Sequence, residues 1–129
     1  MSLEDFPIPW LYELANISYK ALPRLLRERY GLEIEGKLIR RYVPVGRKEI
    51  QVNIYGHARK DGRRLLVLGE CKVRPSCREI ERFEKYARRI AEGENVEPFL
   101  VFVSHDFPPK IEKLLQDKGI AYFWSYELE

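Results

Sequence analysis

Glu70 and Lys72 stand two residues apart at the end of the apolar run Leu65-Leu66-Val67-Leu68. Successive side chains of a strand point to opposite faces, so a spacing of two puts this carboxylate and this ammonium side by side on one face. Charges at the end of so apolar a strand are costly to bury unless they pair or hold an ion. Upstream, Ile50, Val52 and Ile54 alternate with Glu49, Gln51, Asn53 and Tyr55, the pattern of a strand with one core face and one polar face. Between the two runs lies Asp61-Gly62, the strongest short hairpin signal a sequence offers. A hairpin over residues 45–74 therefore sets Asn53 beside the Gly69-Glu70-Cys71-Lys72 segment, with Glu70 and Lys72 on one face.

The elements that must position this hairpin are legible as changes of period. Trp10, Leu14, Ile17 and Ala21, then Leu22, Leu25, Leu26 and Tyr30, recur at helical spacing up to the stop signal Gly31, with Pro23 predicting a kink or split. Leu32, Ile34, Leu38, Ile39, Tyr42 and Val45 form a strand pattern closed by a turn at Gly46-Arg47. After the hairpin, Ser76 caps a helix and Glu79 reaches back to the cap amide, while Ile80, Phe83, Tyr86, Ala87 and Ile90 supply its inner stripe. Phe99-Leu100-Val101-Phe102-Val103 is a mid-sheet strand covered on both faces. Asp106 before Phe107-Pro108-Pro109 starts a helix with Ile111, Leu114 and Leu115 inward, ended by Gly119, and Ile120 to Trp124 is a last strand. The order α-β-β-β-α-β-α-β predicts an α/β fold with a mixed sheet flanked by helices.

Around the hairpin the chain resembles the PD-(D/E)xK nuclease superfamily, which includes many restriction enzymes and archaeal Holliday-junction resolvases. The likeness rests on Glu49-Ile50-Gln51-Val52-Asn53-Ile54-Tyr55, the hairpin, and Leu68-Gly69-Glu70-Cys71-Lys72 followed by a helix and an apolar strand. With the element order it extends from about Glu13 to Trp124. It implies a restriction endonuclease-like core and a metal-dependent nuclease that hydrolyses DNA phosphodiesters. Mg²⁺ or Mn²⁺ would sit at Glu70, Asn53 and Cys71, with Lys72 steadying the attacking water or the developing phosphorane charge. Glu13 on the first helix is the supporting acid, with Glu28 second. The chain departs from the pattern at Asn53, where the superfamily has aspartate. An amide oxygen can ligate a hard cation but brings no charge, so metal affinity and water activation both fall. Glu49 lies roughly 13 Å away along the strand, too far to substitute, and Gln51 is neutral. The alternative is a catalytically inactive nuclease-fold module for nucleic-acid binding or protein assembly, and a third reading is a simple ion pair with no nucleic acid.

At 129 residues and 45% hydrophobic content, the sequence fits one domain, residues 1–129, with a core of its own. No run approaches the roughly 18 apolar residues of a membrane helix, and Met1-Ser2-Leu3-Glu4-Asp5 lacks a secretion signal, so a cytoplasmic protein without membrane contact is expected. Its net charge of +3 does not announce a polyanion partner. Basic residues nevertheless cluster at the turns, several of them expected to border the proposed site, where Arg47, Lys48, Arg59, Lys60, Arg63, Arg64, Arg74 and Arg78 could track a phosphate backbone of DNA, with RNA left open. The second helix reads as a mixed-charge solvent face. Cys71 and Cys77 lack the partners of a zinc site and are expected to act as small hydrophobes rather than a nucleophile or a bridge. His57 and His105 have no ligand partner at strand or helical spacing, and Ser104 has no triad context. The aromatic end, Tyr122-Phe123-Trp124 with Tyr126, suits core cover or a homodimer contact.

Overall fold

The computed structural model describes residues 8–129, with side chains from Tyr12 onward; Met1 to Asp5 and the Trp10 side chain lie outside the described residues. Helix α1 (Ile8–Tyr30) leads into strands β1 (Glu33–Val45), β2 (Lys48–Lys60) and β3 (Arg63–Lys72). Then follow α2 (Cys77–Glu94), β4 (Glu97–Ser104), α3 (Pro109–Lys118) and β5 (Ala121–Trp124), with a last 3-10 turn at Ser125–Leu128. The five strands lie in sequence order, β1 to β3 antiparallel and β3, β4 and β5 parallel. Parallel neighbours need crossovers, here α2 and α3, and the common hand of such crossovers sends both helices to the same face.

Two cores result. Leu14, Leu22 and Leu26 of α1 pack with Ile54, Val67, Cys71, Val101 and Phe123 on one face of the sheet. Ile80, Phe83, Ala87 and Ile90 of α2, with Ile111 and Leu115 of α3, pack with Val52, Tyr55, Leu66, Leu68 and Phe102 on the other. The apolar runs of β3 and β4 are explained by this double cover, since alternate residues serve opposite cores. Among the described residues no helix is long and apolar enough to cross a membrane.

Three local expectations are corrected. Helix α1 runs unbroken through Pro23: the proline removes one backbone bond, but Leu22, Leu25 and Leu26 are buried around it and hold both halves on the sheet. Its inner stripe passes through Ser18 rather than Ile17, which is 47% exposed; Ser18 is buried and donates to the Leu14 carbonyl at 2.7 Å. Helix α3 begins at Pro109 with no side-chain cap, and Asp106 instead pairs with Arg74 at 3.4 Å. The anticipated capping box of α2 is present in full, with Glu79 N–H donating to Ser76 Oγ and Ser76 N–H to Glu79 Oε1. Cys71 and Cys77 are free thiols.

A fourth correction bears on the site. Ile39 pairs with Tyr55 but Arg41 pairs with Val52, so β2 carries one residue more than β1 in the interval, a β-bulge at Asn53-Ile54. The alternation of β2 therefore breaks: Val52 and Tyr55 both face α2, while Ile54 enters the α1 core. At the far end of the hairpin Asp61 and Gly62 both have positive φ, 51° and 80°, as a two-residue turn matched to strand twist requires.

The bulge presses Ile54 onto Gly69, where a Cβ would lie 3.0 Å from Ile54 Cβ and 3.2 Å from the Val101 carbonyl oxygen. Only glycine fits between these two groups. Gly69→Ala is expected to cost about 1–3 kcal/mol in urea denaturation, the range of a small overpacking. An unchanged midpoint would contradict the close approach.

Candidate functional site

The β2–β3 ladder runs from Lys60↔Arg63 to Ile54↔Gly69. The next residues along, Asn53 and Glu70, lie where the bulge bends β2. Here the Asn53 side chain takes over from the ladder: its Oδ1 accepts the Cys71 N–H at 2.9 Å. On the α1 side, the Tyr19 hydroxyl donates to the Asn53 carbonyl at 2.5 Å and holds the bulged main chain. Between the bent strand and α2 opens a cleft of about 280 Å³. Asn53, Glu70, Lys72, Glu79 and Arg82 line its polar end, with Gln51 and Glu49 further along β2.

Glu70 and Lys72 share this face as their spacing requires, but they are not tightly paired. Lys72 Nζ lies 3.9 Å from Glu70 Oε1 and only 3.1 Å from Glu79 Oε2. Glu79 spends its other oxygen on the Ser76 N–H. Burial pulls the Glu79 carboxyl upward, but the Ser76 backbone bond and Lys72 outweigh it and hold the group below its usual range. Glu70 goes the other way: burial, aided by Glu79, pushes its carboxyl up to about 7 against the pull of Lys72 and Arg82. Its side chain is 28% exposed, so water reaches it only at the bottom of a concave wall that strips away most of its hydration.

The mouth of the cleft is basic. Arg82 Nε donates to the Tyr86 hydroxyl at 3.2 Å. That bond lowers the Tyr86 pKa, with Lys48 and Arg89 adding their charge. Arg89 also reaches the β1–β2 turn, its Nη2 lying 3.6 Å from where a Cβ on Gly46 would be. Arg82, Tyr86 and Arg89 are four and three residues apart and share one edge of α2 beside its buried stripe. Among the described residues Lys48, Arg82 and Arg89 form no salt bridge, although Arg82 stands close enough to Glu70 and Glu79 for their charges to be felt. This edge was hidden in what reads as a mixed-charge helix, although the Arg-Tyr-Arg spacing was there to be found. Glu79 was legible as a cap, whereas its hold on Lys72 depends on the packing of α2 against β3.

The other candidates divide. Arg47 and Lys48 lie at the β1–β2 turn, and Arg74 and Arg78 on the connection into α2, the ends of the sheet and helix that frame the cleft. Arg59, Lys60, Arg63 and Arg64 sit at the hairpin tip, roughly 20 Å from Glu70 at about 3.3 Å per residue, so the expectation that they border the site is corrected. There Arg59 and Arg64 pair with Glu35 and Arg63 pairs with Glu97. Glu13 is exposed on α1, which covers the opposite face, and does not line the cleft; Glu28 pairs with Arg24. The Cys71 thiol points into the α1 core, where burial pushes it up to about 12, so only its main chain remains near Glu70. Ser104 is buried and donates to the Val73 carbonyl, and His105 bonds Ser125.

The donor set does not suit Mg²⁺ or Mn²⁺. The Cys71 N–H must face an oxygen, so Asn53 turns its amide oxygen to the backbone and leaves its NH₂, a donor, for the cleft. Both Glu79 oxygens are engaged as well. Among the described residues no three His, Cys, Asp or Glu side chains are placed to hold a metal. A hard cation needs several converging oxygens, and here Glu79 is engaged on both oxygens, Glu70 stands beside Lys72, and Glu49 lies further along β2.

No family model matches the chain, and no curated protein matches it in sequence. Among solved structures, a repair endonuclease from Pyrococcus abyssi superposes with a TM-score of 0.51 at 18% identity, over 81% of this chain and 45% of that one. The chain has a nuclease-like fold. Protein VC1899 from Vibrio cholerae gives a TM-score of 0.53 at 11% identity, over 91% of this chain and 30% of the other. An EndoMS-dsDNA complex gives 0.49 at 17% identity, over 80% and 42%. At these identities the likeness to the first two is one of fold alone, and the chain spans less than half the length of each of the three structures.

Because the folded chain holds the Glu70 proton more tightly than the unfolded chain, that contribution is complete below about pH 4.5 and is lost as pH rises through about 7. Glu70→Gln should therefore match wild type in stability near pH 4.5 and exceed it at pH 8 by on the order of 1–3 kcal/mol, measured by denaturant unfolding. Parallel stability curves for the two proteins would contradict the burial of Glu70.

Proposed function

We propose that this chain is a nuclease-fold domain that engages DNA at the cleft between β2 and α2, and that Asn53 leaves the wild-type site without metal-dependent hydrolysis. The observation that carries the reading is the basic mouth, where Lys48, Arg82 and Arg89 gather around Tyr86 and form no salt bridge among the described residues. Cations so placed supply sequence-independent affinity for phosphates and release counterions on binding. The nuclease-like fold supports DNA as the polyanion, and the Glu70–Lys72 pair at the end of β3 supports descent from a phosphodiester-cleaving site. Asn53 is what separates the two activities. A carboxylate in its place would keep one oxygen on the Cys71 N–H and turn the other into the cleft beside Glu70.

Labelled duplex, single-stranded and branched DNA, titrated by fluorescence anisotropy at several salt concentrations, tests the binding. Affinity should fall steeply with salt, and Arg82→Ala and Arg89→Ala should each weaken it and reduce the logarithmic salt slope by about one. Arg63→Ala, at the hairpin tip, should leave it unchanged. Incubation of the same DNAs with Mg²⁺ or Mn²⁺ tests the chemistry: wild type should not cut, Asn53→Asp should, and adding Glu70→Ala should abolish the gain. Cutting by wild type that Glu70→Ala removes would replace this reading with the metal-dependent nuclease.

A further inference from the structure

We infer that the cleft is a metal-independent pocket for one unstacked nucleotide, its base between β2 and α2 and its phosphates on the basic edge of α2. This rests on the DNA-binding reading above and goes further, because it specifies what enters the site.

The polar end of the cleft is only half of it. Beyond Glu70 the walls become apolar, formed by Ile50 and Val52 of β2 and by Phe83, Ala87 and Ile90 of α2. A purely catalytic groove for a duplex backbone has no use for such walls, since phosphates and sugars are polar. A nucleobase has two apolar faces and a hydrogen-bonding edge, and this cleft offers both environments. At about 280 Å³ it lies near the small end of ligand pockets, the size of one nucleotide rather than of a helix.

The polar end is equipped to meet a base edge. Glu70 is an acceptor, and the Asn53 amide nitrogen, with its oxygen committed to Cys71, is a donor. An acceptor and a donor side by side match the mixed edges that bases present. Arg82 and Tyr86 line the cleft at its mouth, and Lys48 and Arg89 lie close to Tyr86, where the phosphates flanking an inserted base would run. Charge and shape thus point to the same occupant. Unstacking a base from a paired duplex costs a few kcal/mol, so DNA with a base already free is favoured.

The test compares a fully paired duplex with the same duplex carrying one unpaired nucleotide, a fluorescent purine analogue, in EDTA. The unpaired DNA should bind about tenfold more tightly, the effect of stacking one base on protein side chains. Fluorescence of the analogue should change as it enters the cleft. Ala87→Met, which fills the apolar half, should erase the preference while leaving salt-dependent duplex binding in place. The fluorescence of the wild-type complex decides the matter if that variant does not fold. Equal affinity for both DNAs with no change in fluorescence would overturn the pocket and leave the DNA-binding reading standing. Binding of neither DNA would end both.

Discussion

A single hydrogen bond, from the Cys71 N–H to Asn53 Oδ1, sits where the bulge in β2 parts it from β3, and the chemistry of the cleft follows from it. Without a side-chain acceptor there, the Cys71 amide would lose its partner at the end of the ladder, a cost of about 1–3 kcal/mol for a buried donor. Asparagine meets that need with its only side-chain oxygen. What remains facing the cleft is an NH₂ group, so a position that could have helped hold a cation offers a donor instead. The same bulge turns Ile54 into the α1 core and presses it on Gly69, which fixes where Glu70 emerges.

Electrostatics around Glu70 follow the same division of labour. Lys72 leans toward Glu79, whose other oxygen closes the capping box of α2, so the helix start and the sheet end are joined by one carboxylate. That leaves Glu70 with weak compensation in a partly dehydrated wall and a carboxyl that titrates near neutrality. The mouth, by contrast, carries three cations along β2 and α2 that form no salt bridge among the described residues. A cleft that is basic outside, apolar along its walls and mixed in hydrogen-bonding character at its end is suited to a nucleotide more than to a metal ion.

Much of this was legible in the residues because it is local. Strand and helix periods, Asp61-Gly62, the Ser76–Glu79 box and the shared face of Glu70 and Lys72 depend on neighbours within a few positions, and the order of elements followed from them. The bulge was not legible, because it is a mismatch in count between β1 and β2 that no single strand reveals; hence Ile54 was assigned to the wrong face. Nearness in sequence also misled at Arg63 and Arg64, which precede Glu70 by a few residues yet lie at the other end of an extended strand. Arg82 and Arg89 were overlooked, and Tyr86 was assigned to the buried stripe, because spacing alone does not show that Tyr86 falls at the stripe's edge or that the nearby Glu84 turns instead to Arg88 and Lys118. The orientation of the Asn53 amide, on which the metal question turns, depends on a backbone donor 18 residues away.

The most direct test of this account is the side-chain amide resonance of Asn53, followed by NMR while Mg²⁺ is added to one sample and a short single-stranded oligonucleotide in EDTA to another. The account expects the oligonucleotide to shift the Asn53 NH₂ signals and Mg²⁺ to leave them where they are. A shift of those signals with Mg²⁺ and none with the oligonucleotide would mean that the amide oxygen faces the cleft, and that the site is built for a metal after all.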